Sequence, residues 1–219
     1  MFPHVVMSNA ISCNGSLTGF ACDYGIYYPL LLEQEPDLVL VGSQTVAAAH
    51  DDIPPEEEYD RRKRVIAPDD RRPWWGVVDS RGILRDVLHF YRRMEYIRDI
   101  IVLVAENTPA SYIRFLQERE YEYVVAGKDR VDFRAAFSAL GGQYGIRRIS
   151  TDTGGTLNSV LLDAGLVDVI SLVVVPVVTP TIGTPFYRSI AGSGTISLML
   201  EKAEPLRDGY VHLLYRVSG

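Results

Sequence analysis

Residues 145–175, GIRRISTDTGGTLNSVLLDAGLVDVISLVVV, constrain this chain more than any other stretch. The β-branched residues and arginines of 146–150 predict a strand, which Thr153-Gly154-Gly155-Thr156 interrupts with a turn. Leu157, Val160, Leu161 and Ala164 then recur at helical spacing, with Gly165 placed to end the helix. Residues 168–175 are almost wholly apolar, as in a strand covered on both faces. A glycine turn feeding a helix leaves unbonded N–H groups and the positive end of the helix dipole aimed at one place. Two glycines also let a large anion approach the backbone. The same pair suits an ordinary tight turn between strand and helix, and spacing alone leaves both readings open.

The rest of the chain alternates in the same way. Residues 4–10 form a short apolar run, expected to be the first and central strand, opening into the turn-rich SCNGSLTG of 12–19. A helix is expected over 24–35, with Ile26, Leu30 and Leu31 buried and Pro36 blocking its extension. Strands are expected at 37–42, 73–78, 99–105 and 121–126, and helices at 107–117 and 132–140. Trp74 and Trp75 are expected to pack rather than to stack on a ligand. Such alternation predicts a mainly parallel sheet. The tail differs, because 195–204 and 210–217 alternate like an antiparallel pair joined around Asp208-Gly209. Residues 50–70 mix acidic and basic blocks with Pro54, Pro55 and Pro68 and read as an exposed loop. Its Arg61, Arg62, Lys63 and Arg64 either face solvent against 56–58 or reach an anion as the loop folds over a site.

A chain of 219 residues is expected to form one domain over 1–219 with a full core. The net charge of −6 argues against a nucleic-acid partner, and no apolar run reaches the ~18 residues of a membrane span. The opening MFPHVVMSNAIS lacks the basic and long apolar parts of a signal peptide, so a cytoplasmic protein with reduced Cys13 and Cys22 is expected. His4, His50, His89 and His212 lie far apart without ligand spacing, and no metal is expected. The first strand is not followed by G-x-G-x-x-G, which argues against an ordinary Rossmann dehydrogenase.

Four separated motifs, SCNG at 12–15, GSQTV at 42–46, VVDSR at 77–81 and DTGGTLN at 152–158, resemble the pyrimidine reductases of riboflavin biosynthesis. LLDAGLVD and the proline-rich VVPVVTPTIGTP extend the last of them. The resemblance implies a dihydrofolate-reductase-like three-layer α/β fold, with a mainly parallel central sheet and an antiparallel C-terminal ribbon. It implies an NADPH-dependent reductase, an NADP-dependent oxidoreductase acting on the ribosylamino group of a pyrimidine ribotide. Thr45 would then contact the cofactor, and Ser80 and Arg81 would supply a hydroxyl and a guanidinium to its 2′-phosphate. Thr153, Gly154, Gly155, Thr156 and Leu157 would cradle its pyrophosphate, while Asp152, Ser12 and Asn14 would serve the catalytic side. Asp152 stands where the family has glutamate, and would orient the substrate or assist proton transfer. Local alternatives stay open: Thr45 as a helix N-cap, Arg81 as a surface turn residue, Ser12 as a plain loop residue, Asp152 as a helix N-terminal acid.

The chain also departs from the family pattern. Residues 152–155 differ from Glu-Gly-Gly-Gly at two of four positions, Asn14 replaces an acid and Ser16 a base, and Glu33 falls near an expected arginine. These changes admit two further expectations. One is a reductase of the same fold acting on a neutral pteridine-like or other carbonyl or imine substrate; the other is a nucleotide-binding protein without turnover. A homodimer is expected from the family and from the apolar run 170–178 near a sheet edge.

Overall fold

The computed structural model describes residues 1–48, 53–189 and 194–218. His50, with Asp51 and Asp52 of the polar stretch, lies outside the described residues. In chain order the elements begin with β1 (His4–Ser12), α1 (Tyr24–Leu32), β2 (Leu38–Gly42), α2 (Ser43–Ala48), β3 (Trp74–Val78), α3 (Leu88–Arg92) and β4 (Ile100–Val104). They continue with α4 (Ala110–Glu118), β5 (Glu122–Val125), α5 (Phe133–Gln143), β6 (Arg148–Asp152) and α6 (Gly155–Asp163). Last come β7 (Val169–Val175), β8 (Ser197–Pro205) and β9 (Val211–Ser218). The strands are mostly parallel and the C-terminal pair is antiparallel, as the sequence pattern predicts.

The chain forms two compact units, one of residues 1–3 and 37–147 and the other of 4–36 and 148–219. In the first, β5, β4, β3 and β2 lie side by side, all parallel. β4 is IIVLV and buried at every position, the pattern of a strand covered on both faces. Val77, Leu84, Leu88, Ile100, Val102, Tyr112 and Leu116 pack into one core there. Trp75 lies against Tyr91 with ring centroids 4.1 Å apart, and Trp74 meets Tyr144 edge-on, so both tryptophans pack.

The polar loop before β3 is tied down by arginines. The Arg92 guanidinium is buried, pairs with Asp99 at 3.0 Å and lies 3.6 Å from the Tyr121 ring centroid. It also donates to the carbonyls of Asp60, Arg62, Arg119 and Glu120. Arg93 grips the Asp60 carboxylate, and Arg119 takes Glu56 through two nitrogens at 2.6 and 2.8 Å. Of the basic cluster, Arg61 pairs with Glu56, Lys63 with Glu122, and Arg64 donates to the carbonyls of Met94 and Ile97. These three cations brace the loop.

In the second unit the order is β6, β1, β7, β9, β8. β1 runs parallel to β6 and β7, and β9 is antiparallel to both β7 and β8. β7 is therefore an interior strand, not the edge expected of the 170–178 run. Covering on both sides by β1 and β9 is what its apolar sequence serves. The edge is β8, where Leu198, Met199 and Leu200 are exposed. α1 is shorter than expected: it ends at Leu32, and Glu35 at φ 47° turns the chain away before Pro36 is reached. α6 ends as its glycine predicts, with Gly165 at φ 61° and the paired bonds Leu166 N–H to Leu161 O and Gly165 N–H to Leu162 O.

Candidate active site

Parallel strands deliver their following loops to one end, and in both units the motif residues sit there. In the second unit the register sets Ser8 of β1 beside Asp152, the last residue of β6. The half-buried Asp152 carboxyl lies between two tyrosines of α1. Oδ1 is 3.0 Å from the Tyr27 hydroxyl and Oδ2 is 3.3 Å from the Tyr28 hydroxyl. Tyr27 Oη also lies 3.1 Å from the Ser8 carbonyl oxygen. Burial raises the Asp152 carboxyl above the ordinary carboxylate range, while the two tyrosine donors pull the other way without cancelling it. Burial, followed by the nearby Asp152 charge, pushes the Tyr27 hydroxyl well up, so Tyr27 remains a donor. Cys22 feels the same surroundings, its thiol raised by burial and then by Asp23 and Asp152. The arrangement biases the Asp152 carboxyl toward its protonated form, in a residue that is half-buried.

Past Asp152 the chain turns into α6. Gly154 is the N-cap and offers no side chain, and the first helical bond is Asn158 N–H to Gly154 O at 3.2 Å. The N–H groups of Gly155, Thr156 and Leu157 precede that bond and make no backbone hydrogen bond among the described residues, Gly155 being buried and Thr156 exposed. Thr156 is exposed and Leu157 half-buried, whereas Thr153 turns inward. The Thr153 hydroxyl donates to Asn158 Oδ1 at 2.6 Å, Asn158 Nδ2 to Asn9 Oδ1 at 2.7 Å, and Asn9 Nδ2 to the Thr153 carbonyl at 2.7 Å. This buried ring locks the turn to β1. Gly155 has a reason of its own: a Cβ there would land on the carbonyl oxygen of Pro185. The close approach that excludes a side chain is thus already made by the protein's own loop.

Ser12 is fully buried at the end of β1. Its hydroxyl is 2.8 Å from Asn14 Oδ1 and accepts from Ser16 N–H at 3.0 Å. Asn14 in turn bonds the loop after β7, accepting from Thr179 N–H at 3.1 Å and donating to the Thr179 carbonyl at 3.0 Å. Ser16 receives the Gly183 N–H at 3.1 Å. The neutral residues at 14 and 16 therefore knit two loops together. Glu33, the C-cap of α1, is exposed and lies in the field of Lys202 and His212 on the C-terminal ribbon.

In the first unit the register pairs Gly42 with Val78, so the start of α2 and the turn after β3 share one end. Thr45 is the third residue of α2 and exposed; it is inside the helix and not its N-cap. The Ser80-Arg81 turn is rigid. Asp79, fully buried, accepts from the N–H groups of Ile83 at 3.2 Å and Leu84 at 3.0 Å, and Thr108 donates to the Ser80 carbonyl at 2.9 Å. Gly82 at φ 68° lies so close to Tyr112 that a Cβ would meet that ring at 2.7 Å. Arg81 stands exposed on this fixed turn.

Asp152, Ser12, Asn14 and Thr153 to Leu157 are thus gathered in one unit, and Thr45, Ser80 and Arg81 in the other. Sequence reasoning missed Tyr27, Tyr28 and Asn9, and quoted Asn158 in the 152–158 motif without a role. Asn9 and Asn158 carried a signal, since each is an amide set among residues whose pattern calls for burial, and a buried amide needs partners.

The RibD C-terminal domain model matches residues 31–212. A curated 2,5-diamino-6-ribosylamino-4(3H)-pyrimidinone 5′-phosphate reductase from Methanothermobacter thermautotrophicus is 31% identical over 184 residues, 81% of this chain and 80% of that protein. Among solved structures, a pyrimidine reductase-like protein from Corynebacterium diphtheriae superposes with a TM-score of 0.75 at 20% identity, covering 99% of this chain and 92% of that one. The riboflavin biosynthesis reductase of Saccharomyces cerevisiae gives 0.68 at 17% identity, covering 99% and 90%. Those likenesses show the dihydrofolate-reductase-like α/β fold. Sequence relatedness goes further than fold, because it spans most of both proteins and includes the motif residues 42–46, 77–81 and 152–158. The chain belongs to the RibD C-terminal domain family, whose relatives here are riboflavin-pathway pyrimidine reductases.

Proposed function

We propose that this protein is a cytoplasmic NADPH-dependent reductase that converts the ribosylamino group of a pyrimidine ribotide to ribitylamino. The observation that carries the reading is Asp152, a carboxyl raised by burial and gripped by two tyrosine hydroxyls beside the uncapped start of α6. The residues present fit the cofactor. In one unit the uncapped first turn of α6 suits a phosphate; in the other Ser80 and Arg81 suit the 2′-phosphate that separates NADP from NAD, and Thr45 suits a contact to the cofactor. When bound, the cofactor supplies a hydride for C1′ of the ring-opened sugar imine. Asp152 holds the proton that the imine nitrogen must gain as the C1′–N double bond becomes single. Tyr27 and Tyr28 fix the direction in which that proton points. Ser12 and Asn14 position the loop beside it, and the Asn9–Asn158–Thr153 ring holds the turn.

Asp152→Asn keeps the shape and removes the transferable proton. Turnover of the ribotide should fall by about 10²–10⁴-fold, the usual contribution of a positioned acid, while NADPH affinity stays within a few-fold of the parent. Parental turnover in this variant would remove Asp152 from the chemistry. If the parent binds NADPH yet oxidises it with no member of a panel of pyrimidine ribotides, pteridines and other carbonyl or imine compounds, the protein is a binding protein; oxidation with a neutral member alone makes it a reductase of another substrate.

A further inference from the structure

The basic run 61–64 has no part in the proposed reduction. Beside it, on the loop ahead of β3, opens a cavity of about 410 Å³. Five cations line it, Arg62, Lys63, Arg64, Arg92 and Arg93, together with Tyr59 and one acid, Asp60. Three of the five are committed to carboxylates: Lys63 to Glu122, Arg92 to Asp99 and Arg93 to Asp60. Asp60 also accepts the Glu57 N–H at 2.7 Å, so the acid of the lining is spent. The other two cations have no carboxylate. The half-buried Arg64 guanidinium meets the carbonyls of Met94 and Ile97, at 2.8 and 3.0 Å, through one nitrogen only. The exposed Arg62 side chain has no hydrogen bond or ion pair among the described residues, and the Tyr59 hydroxyl has none either.

The cavity lies away from the motif residues. The Arg64 N–H bonds the Asp99 carboxylate at 3.2 Å, and Arg92 bonds the carbonyls of Arg119 and Glu120, all just ahead of β4 or β5. That is the N-terminal end of the parallel strands in this unit, whereas Thr45, Ser80 and Arg81 follow β2 and β3 at the C-terminal end. Five residues of strand, about 17 Å at 3.3 Å per residue, separate the two ends. We propose that this cavity is a second anion site, taking a phosphate or diphosphate group on the Arg62 and Arg64 guanidiniums and the Tyr59 hydroxyl. Planar guanidinium donors match phosphate oxygens two at a time, and neither arginine has a carboxylate to give up first. In a chain of net charge −6 the attraction is local, and the buried Arg92 adds a charge that water screens little. Binding ties residues 59–64 more firmly to α3. The site goes beyond the reductase reading and does not depend on it.

Inorganic pyrophosphate is the probe, titrated by calorimetry against the full chain at constant ionic strength set with chloride. Saturating NADPH keeps it off the cofactor's own contacts; if the parent binds no NADPH, the reductase reading fails and the same titration still tests the cavity. The parent should bind pyrophosphate with a Kd below about 1 mM. Arg62→Glu, at a side chain that braces nothing, should weaken it about tenfold or more and leave NADPH affinity parental. Arg64→Gln, which keeps a donor for the Met94 and Ile97 carbonyls, should weaken it similarly. Arg130→Glu makes the same charge change beyond β5, at the other end of the strands, and should stay within about twofold of the parent. Trypsin cuts after arginine and lysine, so bound pyrophosphate should slow cleavage within 61–64 several-fold while other cuts keep their rates. ADP distinguishes the two sources of the group: tighter binding than pyrophosphate assigns the site to a nucleotide, equal or weaker binding to the inorganic anion, and either sustains it. No binding by the parent at millimolar pyrophosphate overturns the site, as does parental affinity in Arg62→Glu or an equal loss in Arg130→Glu.

Discussion

At the scale of single residues, Asp152 makes a prediction that needs no substrate. Its folded carboxyl binds a proton more tightly than an unfolded one. The folded state therefore loses stability as pH rises from the ordinary carboxylate range through the raised folded value, and the penalty persists above it. Asparagine mimics the protonated form. Asp152→Asn should gain melting temperature relative to the parent on going from pH 4 to pH 8, and a gap that narrows over this range would contradict the raised carboxyl. Arg81 concerns specificity. Arg81→Ala should weaken NADPH by about 1.5–3 kcal/mol, the scale of a charge-assisted hydrogen bond, and leave NADH nearly unchanged; equal losses in fluorescence titrations would make Arg81 structural. Motif residues such as these are legible in sequence because the motif carries them. The partners of Asp152 are not, since Tyr27 lies 125 residues away and helical periodicity registers it only as bulk. Gly155 reads either as room for an anion or as part of a tight turn, and the Pro185 carbonyl that approaches it comes from a loop whose path no local pattern announces.

At the scale of elements, the buried strands were legible because parallel pairing demands near-continuous apolar runs, and β2, β4 and β7 supply them. Strand order was not. An apolar run looks the same in the middle of a sheet as near its edge, and this is why 170–178 was placed at an edge it does not occupy. The loop ahead of β3 was legible as polar and irregular, but its anchoring depends on arginines of the short α3 and the end of α4. Arg92 is the centre of that anchoring. Arg92→Met would leave Asp99 buried without its cation and four carbonyls without a donor, a loss of about 3–5 kcal/mol. Denaturant unfolding should show the loss, and limited proteolysis should cut first within 57–64. Acid should loosen the same loop. The Arg119 guanidinium holds the Glu56 carboxyl low, and Arg93 does so for Asp60 against the opposing effect of burial. Both contribute stability above the ordinary carboxylate range that is lost as pH falls through their lowered values.

At the scale of the whole molecule, the exposed β8 is the feature that calls for a second chain. Leu198, Met199 and Leu200 present apolar side chains along a strand edge that no other strand pairs among the described residues, an arrangement that proteins normally cover. We propose a homodimer that covers β8. Light scattering at micromolar concentration should give twice the chain mass, and Met199→Lys with Leu200→Lys should give the monomer; a monomeric parent refutes the proposal. The pairing of β1 has a different consequence, one of timing. β1 leaves the ribosome well before both its neighbours, β6 and β7, which begin at Arg148 or later. At roughly 5–20 residues per second, the strand that carries Asn9 and Ser12 waits on the order of ten seconds for a partner. Meanwhile residues 37–147 can complete a sheet from neighbours in sequence. Through that interval an apolar strand stands without its sheet neighbours, which makes β1 the segment a chaperone has most reason to hold.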